Sequence, residues 1–136
     1  MTAQLNPSLY ARAIQAQLQS VFTPVKVYAN FNRNFATEAQ FVTWQLRNVH
    51  QPVYTGNIQT NKGIDRPIFQ VSIFAQDMQV AFDLSNTMLQ AMHGYSGSYG
   101  GLFYVTKTDV AWLYNTYDNE IGLNQIILDV TIDIAA

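Results

Sequence analysis

Between Arg66 and Gly101 the hydrophobic period changes once, from two to about 3.6, and that change constrains the fold more than any other feature of the chain. Over Pro67–Ala75 the side chains alternate. Phe69, Val71 and Ile73 point to one face, and Ile68, Gln70, Ser72 and Phe74 to the other. From there Val80, Ala81, Leu84, Met88 and Ala91 recur at helical spacing, with Gln79, Asp83, Asn86 and Gln90 mostly outside the stripe. Asp77 stands where a carboxylate complements the helix dipole, and Gly94 can take the positive φ that ends a helix. A strand running directly into a helix predicts the central packing unit of a small α+β domain.

The flanking segments extend that unit. Asn6 is an N-cap candidate with Pro7 at the first helical position, and Leu9, Tyr10, Ala13, Ile14, Leu18 and Val21 trace one stripe before Pro24. A short strand follows over Val25–Phe31, then an Asn-rich turn over Asn30–Glu38, then a strand over Gln40–Asn48 with Val42, Trp44 and Leu46 inward. After the glycines at 94, 97, 100 and 101, Leu102–Asp109 reads as a strand, Val110–Asn119 has no clear period, and Asp118-Asn119 suits a turn. Leu123–Ile134 is the cleanest strand, with Ile126, Leu128, Val130, Ile132 and Ile134 on one face. Burying those five contributes on the order of 8–15 kcal/mol gross, so the segment belongs to the core. The expected fold is α+β: one domain over 1–136, an antiparallel or mixed sheet with two helices packed on one face. Residues 49–66 carry Pro52, Gly56 and Gly63 and no firm period. Two readings stay open there, a projecting β-hairpin and a partner-binding loop.

Charge is scarce. Only 12% of residues are charged, against about 25% in typical soluble domains, while 49% are hydrophobic. A surface poor in charge suits a subunit that meets other subunits. The second sheet face would hold Phe41, Ile68, Phe74, Leu123 and Ile127 among Thr43, Gln45, Gln70 and Ser72. With Tyr54 and Ile58 from the loop, those five are the candidate assembly-interface residues.

Catalytic patterns are missing. There is no cysteine, which excludes disulfides and thiolate chemistry. His50 and His93 have no carboxylate at metal-ligand spacing, so the expectation is no metal, no cofactor and no enzyme. Gly94–Ser98 fails the G-x-S-x-G elbow at Ser98. Gly97–Gly100 matches a G-x-x-G clamp only in form, since a strand rather than a helix follows, and a helix-to-strand turn is expected. The N-terminus reads as free of a signal peptide, no segment reaches membrane-spanning length, and a net charge of −2 gives no electrostatic case for tight nucleic-acid binding.

One family resemblance covers most of the chain. Arg66-Pro67-Ile68-Phe69-Gln70-Val71 resembles the strand of the tail-completion, or tail-terminator, proteins of long-tailed bacteriophages. Leu89–Gly97 is similar to the helix end and glycine segment that follow it there, and Tyr117–Leu123 to the turn before the final alternating strand. The resemblance implies a structural virion protein: a ring, in that family a hexamer, that caps the head-proximal end of the tail tube, ends tube polymerisation and joins tail to head. It implies as partners other copies of the chain, the tail tube protein and a head connector or neck protein, with DNA passing through the pore without specific binding and with no membrane. The location implied is the virion tail, assembled in the host cytoplasm. Two further readings remain at this point, another tail or connector component such as a tube subunit or neck ring, and a small non-phage binding domain or hydrolase.

Overall fold

The computed structural model describes residues 6–33, 37–55 and 62–135, those at 50–55, 62–64 and 135 for their backbone alone. Among these residues eight helices and strands follow one another: α1 (Pro7–Phe22), β1 (Val27–Ala29), β2 (Gln40–Thr55), β3 (Lys62–Ala75), α2 (Met78–Met92), β4 (Gly97–Tyr99), β5 (Phe103–Asp118) and β6 (Leu123–Ala135). The strands form one sheet in the order β1-β2-β3-β6-β5-β4. Among the described strands only the β1–β2 pair is parallel, so the sheet is mixed, one of the two forms expected from the sequence. β6, late in the chain, lies in the middle of the sheet between β3 and β5.

Both helices start where the sequence places a cap. The Asn6 side-chain oxygen accepts from the Leu9 N–H at 3.2 Å, and Pro7 follows at a position needing no donor. Asp77 is the N-cap of α2 and accepts from the Gln79 N–H at 3.0 Å. α1 buries Leu9, Tyr10, Ala13, Ile14, Leu18 and Phe22, whereas α2 buries Ala81, Ser85, Met88 and Met92. Both pack on the sheet face lined by Val71, Ile73, Ile126, Leu128, Val130 and Ile132, all fully buried. A hydrogen bond from the buried Tyr10 hydroxyl to the buried Asp65 carboxylate ties α1 to β3.

Register separates the inner strands from the outer ones. β3 and β6 pair without a shift from Ile64↔Ala135 to Ala75↔Asn124. β5 slips against β6 twice, between Val105 and Lys107 and between Trp112 and Tyr114. β2 slips against β3 at Leu46/Asn48 and at His50/Val53. Each slip advances one strand by a residue, as a bulge does, and so exchanges its faces relative to its neighbour.

Three expectations change. Val110–Asn119, without a clear period in sequence, is strand through Asp118. The Gly-rich run holds a short strand, β4, paired with Phe103–Val105, in place of a plain turn. Gly100 there, at φ +58°, brings the turn against α1: a Cβ would lie 2.9 Å from the Ala16 Cβ. Within 49–66, backbone pairing of β2 with β3 extends to Thr55↔Lys62, whereas the arm expected at Ile58–Thr60 lies outside the described residues.

Candidate assembly surface

Four of the seven residues singled out from sequence are enclosed within one subunit. Phe41 and Leu123 are 2% and 3% exposed, and with Phe74 they form a small cluster packed by Tyr28 and Ile121. The Phe41 and Phe74 rings stack with centroids 4.9 Å apart, and Tyr28 meets Phe41 edge-on at 6.3 Å. Ile127 is 6% exposed, between Ser72 of β3 and Tyr114 of β5. The expectation of an uncovered second face is therefore corrected at these four positions. The chain's own Tyr28 and Ile121 cover three of them, and close strand neighbours flank the fourth. Ile68, opposite Asn48 and Thr131, keeps partial exposure. Tyr54 is described only through its backbone pairing with Gly63, and Ile58 lies outside the described residues.

Polar links hold the rest of that face. Arg47 Nη1 donates to Asp129 Oδ2 at 2.6 Å, and Arg66 binds Asp133 through two contacts, 2.7 and 3.2 Å. The carboxylate raises the Arg66 guanidinium pKa above its ordinary value. Gln125 Nε2 donates to Ser72 Oγ at 3.2 Å.

Phe31, Leu102 and Tyr104 are exposed at separate points, and a contiguous exposed apolar patch lies on the outer half of β5. Trp112, Tyr114 and Tyr117 are 37%, 51% and 54% exposed, and Leu113 is exposed beside them. Two exposed residues of α2 continue the patch. Phe82 stacks on Trp112 at 6.0 Å, and Met78 lies within 4.0 Å of the Asn115 side-chain nitrogen. The bulge at Trp112/Tyr114 explains why aromatics emerge on both faces of one strand: Trp112 lies opposite the core residue Leu128, Tyr114 opposite Ile127. Beyond the β4 pairing, Gly94 N–H donates to Thr108 O at 2.8 Å and Val110 N–H to His93 Nδ1 at 3.0 Å. From Ala111 to Asp118, no strand among the described residues pairs with the outer side of β5. Sequence reasoning misses this patch, although Val110–Tyr117, eight residues with three aromatics and no charge, was a readable signal.

The opposite edge is closed. Gln15 Nε2 donates to Val27 O at 2.9 Å, while Gln19 accepts from Val27 N–H at 3.1 Å and donates to Val25 O at 3.0 Å. Two glutamines thus satisfy the outward N–H and C=O of Val27, and Phe31 N–H takes Ala29 O, where another strand could have paired. Above them lies an open hollow of about 520 Å³, lined by Ala11, Arg12, Gln15, Ala16, Ala29 and Trp44.

The titratable groups form no catalytic arrangement among the described residues. His93 is the C-cap of α2 through its backbone N–H to Leu89 O, and its ring accepts from Val110 N–H of β5, a structural use. Burial pushes the Tyr99 phenol up to about 12, against the lowering effect of its 2.7 Å hydrogen bond with Thr108 Oγ1. Glu38, which accepts from Tyr28 at 2.5 Å, raises that phenol's pKa as well. No cluster of three metal-ligating residues occurs among the described residues. No helix among them is long and apolar enough to cross a membrane.

The fold is shared with chains of solved structures. A chain from the virion of a native gene transfer agent particle superposes with a TM-score of 0.56 at 12% identity, covering 97% of this chain and 95% of that one. A chain from the sheath/tube terminator of an extracellular contractile injection system, in its extended state, superposes with a TM-score of 0.54 at 8% identity. That match covers all of this chain and 58% of the other. No family model and no curated protein sequence matches the chain.

Proposed function

We infer that this chain is a structural subunit of a phage-like tail, forming a ring that caps the head-proximal end of the tail tube, stops tube growth and joins tail to head. The observation carrying this reading is fold likeness over the whole chain to a chain of a sheath/tube terminator, with a phage-like virion chain beside it. The charge-poor surface, the exposed aromatic patch on β5 and the resemblance of Arg66–Gly97 and Tyr117–Leu123 to tail-completion proteins support it. In this reading the partners are further copies of the chain, in a hexamer, together with the tail tube protein and a connector or neck protein. DNA passes the pore without specific contacts. The β2–β3 hairpin region at 49–66, including Tyr54 and Ile58, is a contact to a neighbour or to the tube.

The test is to add the purified protein to polymerising tube subunits from the same particle and examine the product by negative-stain microscopy. Short tubes closed at one end by a ring are expected. Filaments formed by this protein alone would instead make it a tube subunit and overturn the capping role. Tubes that grow unchanged and carry no ring would also overturn it.

A further inference from the structure

The chain's charges are divided between the two ends of its sheet. Residues 1–66 hold six of the seven Lys and Arg residues and two of the nine acids; residues 67–136 hold the other seven acids and Lys107 alone. Because β1 and β2 lie at one side of the strand order and β5 at the other, this division in sequence is also a division in space. Some charges cancel internally, through Arg47–Asp129, Arg66–Asp133 and Lys107–Asp109. Among the described side chains, exposed Arg12, Lys26 and Arg33 then remain near β1 against one half-buried acid, Glu38, which is bonded to Tyr28 and Asn32, while exposed Asp77, Asp83 and Glu120 and half-buried Asp118 remain on α2 and at the end of β5.

The two sides also differ in the apolar groups they present. The acidic side carries the outward aromatics Trp112, Tyr114 and Tyr117; the basic side carries the apolar hollow between α1 and β1, with Arg12 in its lining. The patch lies on β5 and α2 and the hollow between α1 and β1, with no residue in common within a subunit. They can meet between copies, and contact between two different patches of the same chain is the head-to-tail geometry that closes a ring. Opposite charge steers such an encounter and penalises the like-edge alternative. The closed β1 backbone adds a further constraint: with Gln15 and Gln19 occupying it, docking there proceeds through side chains rather than by strand addition.

We propose that the outer half of β5, with its aromatics and acidic rim, docks into the α1–β1 hollow of the next copy of this chain. This rests on the ring reading above and specifies its subunit contact. The cysteine-free sequence gives a clean test. Ala16→Cys and Tyr117→Cys are made as separate proteins, mixed at up to roughly 1 mM, where even weak contacts are occupied, and oxidised. A 16–117 cross-linked dimer is expected well above a control mixture of Gln90→Cys with Ser98→Cys, and its absence would overturn the proposal. In parallel, sedimentation compares Arg12→Glu, Asp83→Arg and the double variant. Each single change should weaken self-association at least about tenfold, with recovery in the double variant, where the charges are exchanged. Equal loss in all three would count against charge-matched docking. If rings form without the 16–117 link, this surface falls and the ring reading stands. If the link forms but microscopy shows only open filaments, the surface stands and the capping ring falls.

Discussion

β6 and β5 are hydrogen-bonded neighbours of similar apolar content and opposite fate. From Ile126 to Ile134 β6 turns five aliphatic side chains onto the helices, all buried. Over Ala111–Tyr117 β5 offers a tryptophan, a leucine and two tyrosines, and every one of those seven residues is exposed. Position in the sheet decides the difference. β6 is flanked on both sides by an unbroken or nearly unbroken ladder and covered by two helices, whereas the outer part of β5 has one neighbour and a bulge. Hydrophobicity measures what a residue could gain by burial; topology settles whether the subunit alone supplies the cover.

The contrast can be broken first at its strongest point. Ile126→Asp places an unpaired carboxylate at a fully buried site and should cost more than about 4 kcal/mol, enough to abolish a cooperative thermal transition. Survival of a native-like melt would show that β6 is not the centre of the core. Next comes Ile127→Asp, one residue on and on the other face. Its near-complete burial makes it destabilising as well, by roughly 2–4 kcal/mol, and a melting temperature within a degree of wild type would reopen the second face as free surface.

A smaller effect lies at the end of β5 that β4 closes. Folding raises the Tyr99 pKa, so the folded state keeps its proton where the unfolded chain begins to lose it. The associated stability is complete below pH about 10, the ordinary phenol value, and is lost as pH rises through about 12. Tyr99→Phe should flatten that alkaline decline in denaturant titrations, and an unchanged slope would remove Tyr99 from the account. The smallest effect belongs to the open stretch. Tyr114→Ser should shift monomer stability by no more than about 0.5 kcal/mol in the same titrations, and a larger loss would mean that the residue is packed within the subunit.

How much of this was legible in the sequence follows the ladders closely. β6, and β3 from Pro67 onward, are readable because their mutual register never slips, so a period of two survives there. β5 is not readable past Asp109 because the register shift between Trp112 and Tyr114 exchanges its faces there. The two register shifts in β2 likewise leave the stretch after Asn48 without a period, although its backbone is paired to Thr55. The helices are legible at their caps and less so in their stripes: α2 buries Ser85 and Met92 where the apolar pattern picks Leu84 and Ala91, which are half-buried and exposed. The candidate interface fared worse for a different reason. Alternation shows correctly that Phe41, Phe74 and Leu123 share the face away from the helices, but not that Tyr28 and Ile121 close over them. Nor can a linear pattern reveal that Gln15 and Gln19 turn aside from water to close an edge.

The central place of β6 bears on how such a chain comes off the ribosome. β3 and β6 are adjacent in the sheet, yet α2, β4 and β5 are made between them. Val71 waits for Leu128, and at about 5–20 residues per second that wait lasts several seconds. During that interval the inner sides of β3 and β5 both lack their strand, and β5 has no ladder beyond its three pairs with β4. A chain released before Leu123 should therefore show no cooperative melt, however intact its helices. The aromatic stretch of β5 takes its final shape only when β6 slots in beside it, so synthesis order itself delays the moment at which one copy can recognise another.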